Sequence, residues 1–145
     1  MEWHFIIIDK SGSMKNKMDQ VVSGYKELIV NQRQNNSTRL SVFTFSNTSS
    51  QVYDGDINSA DEFFAGEIVP LGATALLDCM GAVYTKIIDC ITDYTYIAIH
   101  VLTDGVENAS RIYTSQSLGT LKNSILRTHN MEIFFIGADQ DCLNG

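Results

Sequence analysis

Three short polar stretches carry the residues best suited to chemistry: Asp9-Lys10-Ser11-Gly12-Ser13-Met14, Gly72-Ala73-Thr74-Ala75-Leu76 and Thr103-Asp104-Gly105. From them, Asp9, Ser11, Ser13, Thr74 and Asp104 offer two carboxylates and three hydroxyls, and no soft ligand. Such oxygens, completed by water, suit a hard cation in octahedral geometry: Mg²⁺ first, with Mn²⁺ and Ca²⁺ as alternatives. In an extended segment, side chains two residues apart point the same way, so Asp9, Ser11 and Ser13 can converge on one point. Gly12 is expected to let the chain turn tightly between the two serines. The plainer account is turn chemistry, in which Ser13 or Thr74 merely caps the helix that follows it.

Other chemistries find little support. There is no phosphate-cradling loop, no nucleophile elbow and no Cys/His constellation. Ser11 and Ser13 have no histidine placed to act as their base. The enzymatic alternative is Mg²⁺-dependent phosphoryl transfer with Asp9 as nucleophile. Phosphatases of that kind carry a second aspartate two residues later, where this chain has Ser11, a good neutral ligand and a poor general acid. A binding module is the expected class, with no catalytic residue.

The formal net charge of −7 excludes a phosphate-tracking surface, and the ten basic residues are scattered. Nucleic acid and anionic membrane are therefore poor partners, whereas a cation is a good one. The opening apolar run is too short and lacks the basic flank of a signal peptide. Nothing approaches the roughly 18 apolar residues of a membrane span. Cys79, Cys90 and Cys142 are odd in number and lack metal spacing, so free thiols in a reducing, cytoplasmic compartment are expected. In that setting the glycosylation sequons at Asn35, Asn36, Asn47 and Asn108 have no role.

The elements that must position the polar stretches follow from periodicity. Residues 3–8 form a continuous apolar run, a strand buried on both faces. Helical spacing of Met14, Met18, Val21, Val22, Tyr25, Leu28 and Ile29 predicts a helix over 14–33. Residues 40–45 read as a strand, 50–53 as a short edge strand, and 54–66 as a loop with one helical turn near 60–64. The stripe Leu76, Leu77, Met80, Val83, Tyr84, Ile87, Ile88 and Ile91 predicts a helix over 74–91. A buried strand over 96–102, a helix over 115–128 and a strand over 131–136 complete the alternation. The implied class is α/β: one domain over 1–145, with a doubly wound, mainly parallel open sheet and helices on both faces. In such sheets, ligands bind beyond the carboxyl ends of the strands.

In order and spacing, Asp9-x-Ser11-Gly12-Ser13-Met14, Gly72-x-Thr74-x-Leu76 and Thr103-Asp104-Gly105 resemble the metal-ion-dependent adhesion site of von Willebrand factor A domains. The resemblance covers the whole chain and looks closest to stand-alone intracellular members from bacteria and their viruses. It implies a Rossmann-like fold and a module that recognises a protein partner through the partner's Asp or Glu carboxylate. It also implies roles: Ser11 and Ser13 on the metal directly, Thr74 directly when the carboxylate is bound, Asp9 and Asp104 mostly through water.

Lys10 is expected at the surface, pointing away from the acidic face. Glu107 and Asn108 read as solvated loop residues on the rim of the site, and Asp139 and Asp141 as a loop or helix cap. His4 and His100 lie inside buried strands and read as satisfied core histidines. The family pattern runs on past 136–141 to a further strand and closing helix, whereas this chain stops at Gly145. A C-terminally shortened domain is therefore expected, with the helix over 14–33 alone on one sheet face. The last strand would be a bare edge open to self-association.

Overall fold

The computed structural model describes residues 1–33, 38–90, 94–104 and 107–136. Among the described residues, five strands form one sheet: β1 (Glu2–Asp9), β2 (Thr38–Phe45), β3 (Ser49–Asp56), β4 (Tyr96–Leu102) and β5 (Asn130–Ile136). The helices are α1 (Met18–Gln32), α2 (Leu76–Cys90) and α3 (Ser115–Leu126). The strand order is β3-β2-β1-β4-β5, with β1, β2, β4 and β5 parallel and β3 antiparallel to β2. The mainly parallel, doubly wound class read from the sequence is the one observed.

Alternation along each strand divides the core into two layers. Trp3, Phe5, Ile7, Phe43, Phe45, Ile97, Ile99 and Val101 pack against α2 and α3. On the other face, Ile6, Ile8, Leu40, Val42 and Leu102 pack against Val21, Tyr25 and Ile29 of α1. Parallel strands covered by helices on both sides must be apolar on both sides, which is why β1 reads as an unbroken run. The far end of the α1 face, on β5, is less covered: Phe134 and Ile136 stay 40% and 37% exposed.

Three local expectations need correction. The helix over 14–33 begins as a 3-10 turn (Gly12–Lys17), and α-geometry starts at Met18. The Met14 N–H bonds back to the Ser11 carbonyl, while the Gly12 N–H goes to the Gly72 carbonyl, so the first turn is tightened against another loop. The helix over 74–91 starts at Leu76, which leaves Thr74 outside it. The edge strand is eight residues long rather than four, because Arg39 of β2 binds both carboxylate oxygens of Asp54 and so carries the ladder into a polar stretch.

Candidate functional site

From β1 the chain runs to β2 on one side and later to β4 on the other, so strand order reverses between β1 and β4. In open sheets of this kind, ligands bind at such a switch point, beyond the carboxyl ends of the strands. Asp9 ends β1 and is wholly buried. Its Oδ1 accepts the Ser11 N–H at 2.8 Å and its Oδ2 accepts the Thr103 hydroxyl at 2.7 Å. The Ser11 and Ser13 hydroxyls face each other 3.1 Å apart, Ser11 buried and Ser13 exposed. The two serine hydroxyls thus meet, Ser13 coming from the 3-10 turn rather than from extended chain, while Asp9 holds the backbone of Ser11.

The loop before α2 is clipped alongside. The Leu71 N–H donates to the Lys10 carbonyl at 2.8 Å and the Gly12 N–H to the Gly72 carbonyl at 2.9 Å. The Ala75 N–H bonds the Ser46 carbonyl, anchoring the same loop to the end of β2. The glycine that the turn requires is Gly72, not Gly12. Gly72 has φ +95°, and a Cβ there would meet Asn47 Oδ1 at 2.5 Å, whereas one on Gly12 would find its nearest neighbour at 3.6 Å. Asn47 Oδ1 instead accepts the Ala73 N–H at 3.0 Å.

Thr74 is buried, and its backbone is held by Asn108: Thr74 N–H to Asn108 Oδ1 at 2.8 Å, Asn108 N–H to the Thr74 carbonyl at 2.9 Å. Asp104 is half-buried at the end of β4, next to the Thr103 that bonds Asp9. Asp9 thus touches Ser11 and Ser11 touches Ser13, while Thr74 and Asp104 lie on segments hydrogen-bonded to these. Lys10 is half-buried.

Glu107 and Asn108 are not merely solvated. Glu107 accepts N–H groups from Leu77, Ala109 and Ser110 and the hydroxyl of Ser110, so its carboxylate sits on the first turn of α2. Asp78 accepts the backbone N–H groups of Arg111, Ile112 and Tyr113. Burial pushes the Asp78 carboxyl up, but these three donors outweigh it and hold the group below its ordinary value. Sequence spacing shows that polar residues follow Asp104. It does not show that they face the start of α2. Beneath the site, burial pushes the Cys79 thiol well up, with the charge of Asp9 adding to it.

His4 and His100 are buried, with His4 Nδ1 and His100 Nε2 3.2 Å apart, and so satisfy each other as core histidines do. Asp139, Asp141, Cys142, Asn35, Asn36 and Gly105 lie outside the described residues. Among the described residues no three His, Cys, Asp or Glu side chains gather as a metal cluster. The candidate set has two carboxylates and makes up the rest with hydroxyls, a donor chemistry that fits a hard cation keeping several waters.

An open sheet of this order, with helices on both faces and these loops at the β1/β4 switch point, is the von Willebrand factor type A fold, and this chain has it. It resembles a von Willebrand factor type A protein from Catenulispora acidiphila with a TM-score of 0.71 at 20% identity. The ArnB paralog VWA2 from Sulfolobus acidocaldarius aligns with a TM-score of 0.66 at 21% identity. The pilus adhesin SpaC from Lactobacillus rhamnosus GG, in its open conformation, aligns with a TM-score of 0.67 at 15% identity. These alignments cover 99%, 97% and 93% of this chain but 35%, 37% and 23% of the respective proteins. The chain thus spans little more than a third of the longest-matched of these proteins. No family model and no curated protein matches the sequence. Among the described residues, no helix is long and apolar enough to cross a membrane.

Proposed function

We propose that this chain is a protein-binding module that holds one divalent cation, Mg²⁺ first, and offers it to an Asp or Glu carboxylate of a partner. Ser11 and Ser13 would hold the ion directly, Asp9 and Asp104 through water, and Thr74 directly once the carboxylate is bound. The supporting observation is the meeting of three loops at one strand switch point, with paired serine hydroxyls beside a buried carboxylate. Because direct ligands are mostly neutral, the ion would keep most of its charge and attract an external anion. That is how a protein of net charge −7 can take an acidic partner locally. The pilus adhesin and pilus tip proteins among its structural neighbours fit an interaction role.

The position two residues after Asp9 disfavours phosphoryl transfer: phosphatases of that kind carry a second aspartate there as general acid, and this chain has Ser11. Calorimetry with MnCl₂ tests the proposal. Wild type takes up one ion per chain, and Asp9→Ala and Asp104→Ala lose that uptake while circular dichroism shows both folded. Unchanged uptake in both variants overturns it, and Mg²⁺-dependent turnover of an aryl phosphate would favour the enzymatic reading instead.

A further inference from the structure

We infer that Asn108 is a positioning residue for Thr74, fixing the threonine's backbone to the stretch 107–113 so that its hydroxyl is held in place for a cation. The inference rests on the cation reading above. Thr74 lies two residues before α2, so the helix ladder does not hold it; the Cys79 N–H reaches back only as far as Ala75. Its peptide groups go to the post-β4 loop instead. The Thr74 N–H donates to Asn108 Oδ1 at 2.8 Å, and its carbonyl accepts from the Asn108 N–H at 2.9 Å and the Ala109 N–H at 3.1 Å.

That loop is itself immobilised on α2. Glu107 accepts the Leu77 N–H at 3.1 Å, the Ser110 hydroxyl accepts the Asp78 N–H at 2.9 Å, and Asp78 takes three N–H groups from 111–113. Among the described residues, Asn108 is the side chain that carries this rigidity past the helix end to Thr74. Asparagine suits the task because its neutral amide oxygen accepts the Thr74 N–H while its own backbone N–H donates.

The test uses wild type, Asn108→Ala, Asn108→Asp, Thr74→Ala and the double variant Thr74→Ala/Asn108→Ala. Hydrogen exchange at the Thr74 amide accelerates roughly tenfold in Asn108→Ala and returns towards wild type in Asn108→Asp, which keeps the acceptor. Mn²⁺ affinity in saturating acetate, the carboxylate probe, falls roughly tenfold in Asn108→Ala and in Thr74→Ala, and no further in the double variant. Additive losses in the double variant overturn the inference, because Asn108 then acts elsewhere. So does Mn²⁺ binding that Thr74→Ala weakens and Asn108→Ala leaves intact, or an unchanged Thr74 amide. If wild type takes up no Mn²⁺ at all, the cation reading falls and this inference with it.

Discussion

The hydroxyl of Thr103 donates to Oδ2 of Asp9 at 2.7 Å, joining the ends of β4 and β1 across 94 positions of sequence. Both residues are buried, and the other oxygen of Asp9 is held by the Ser11 N–H. Asp9 is thus a joint of the fold as well as a candidate ligand. Thr103→Val leaves this buried carboxylate one donor short and should lower the unfolding free energy by about 1–3 kcal/mol. Thr103→Ser keeps the hydroxyl and should recover most of that loss. Urea titration decides it, and an unchanged midpoint in Thr103→Val would show that Asp9 does not depend on this donor.

Gly72 and Gly12 should respond differently to alanine. At Gly72 the left-handed φ and the approach of Asn47 Oδ1 oppose any Cβ, so Gly72→Ala should cost about 1–3 kcal/mol and weaken cation binding by shifting the Thr74 loop. Gly12→Ala meets only ordinary contacts and should stay within about 0.5 kcal/mol of wild type. Equal melting temperatures for the two variants would contradict this.

The cation should stabilise the domain by mass action without being required for folding, because both core layers form from apolar side chains alone. EDTA should leave the protein folded. Mg²⁺ at a hundredfold excess over its Kd should add about 2.7 kcal/mol in wild type and nothing in Asp104→Ala. Thermal melts across a Mg²⁺ series measure this, and unfolding in EDTA would refute it.

Acid should destabilise the fold through His100. Burial first, and the neighbouring His4 second, lower its pKa from 6.5 to about 4. Between those two values the unfolded chain binds a proton that the folded chain refuses. The contribution is therefore complete above pH 6.5 and is lost as pH falls through about 4, at a cost on the order of 3 kcal/mol. Urea midpoints between pH 7 and 4 should decline steeply in wild type and less in His100→Gln, which keeps a polar partner for His4. Parallel declines would place the acid sensitivity elsewhere.

Much of this was legible in the sequence. The uninterrupted run at 3–8 announces a strand covered on both sides, and the stripes at 14–33 and 74–91 announce helices. The right-handedness of parallel crossovers then puts α1 on one face and α2 with α3 on the other, as observed. Less legible were the starts of α1 and α2 and the length of β3. Met14 and Met18 have helical spacing whether the turn between them is 3-10 or α, and Asp54 looks like loop until the Arg39 side chain reaches it from the neighbouring strand.

The sequence by itself determined which residues supply oxygen, the order in which they appear, and the alternation of elements that brings them to one end of a sheet. Only the tertiary structure decided how those residues are held: Thr103 on Asp9, Asn108 on Thr74, Gly72 rather than Gly12 as the obligatory glycine. The physical reason is range. Periodicity and propensity constrain neighbours along the chain, whereas these bonds join loops 34 to 94 residues apart, or depend on a φ forced by a neighbouring loop. Their partners exist only once strand order and register have fixed which loops meet.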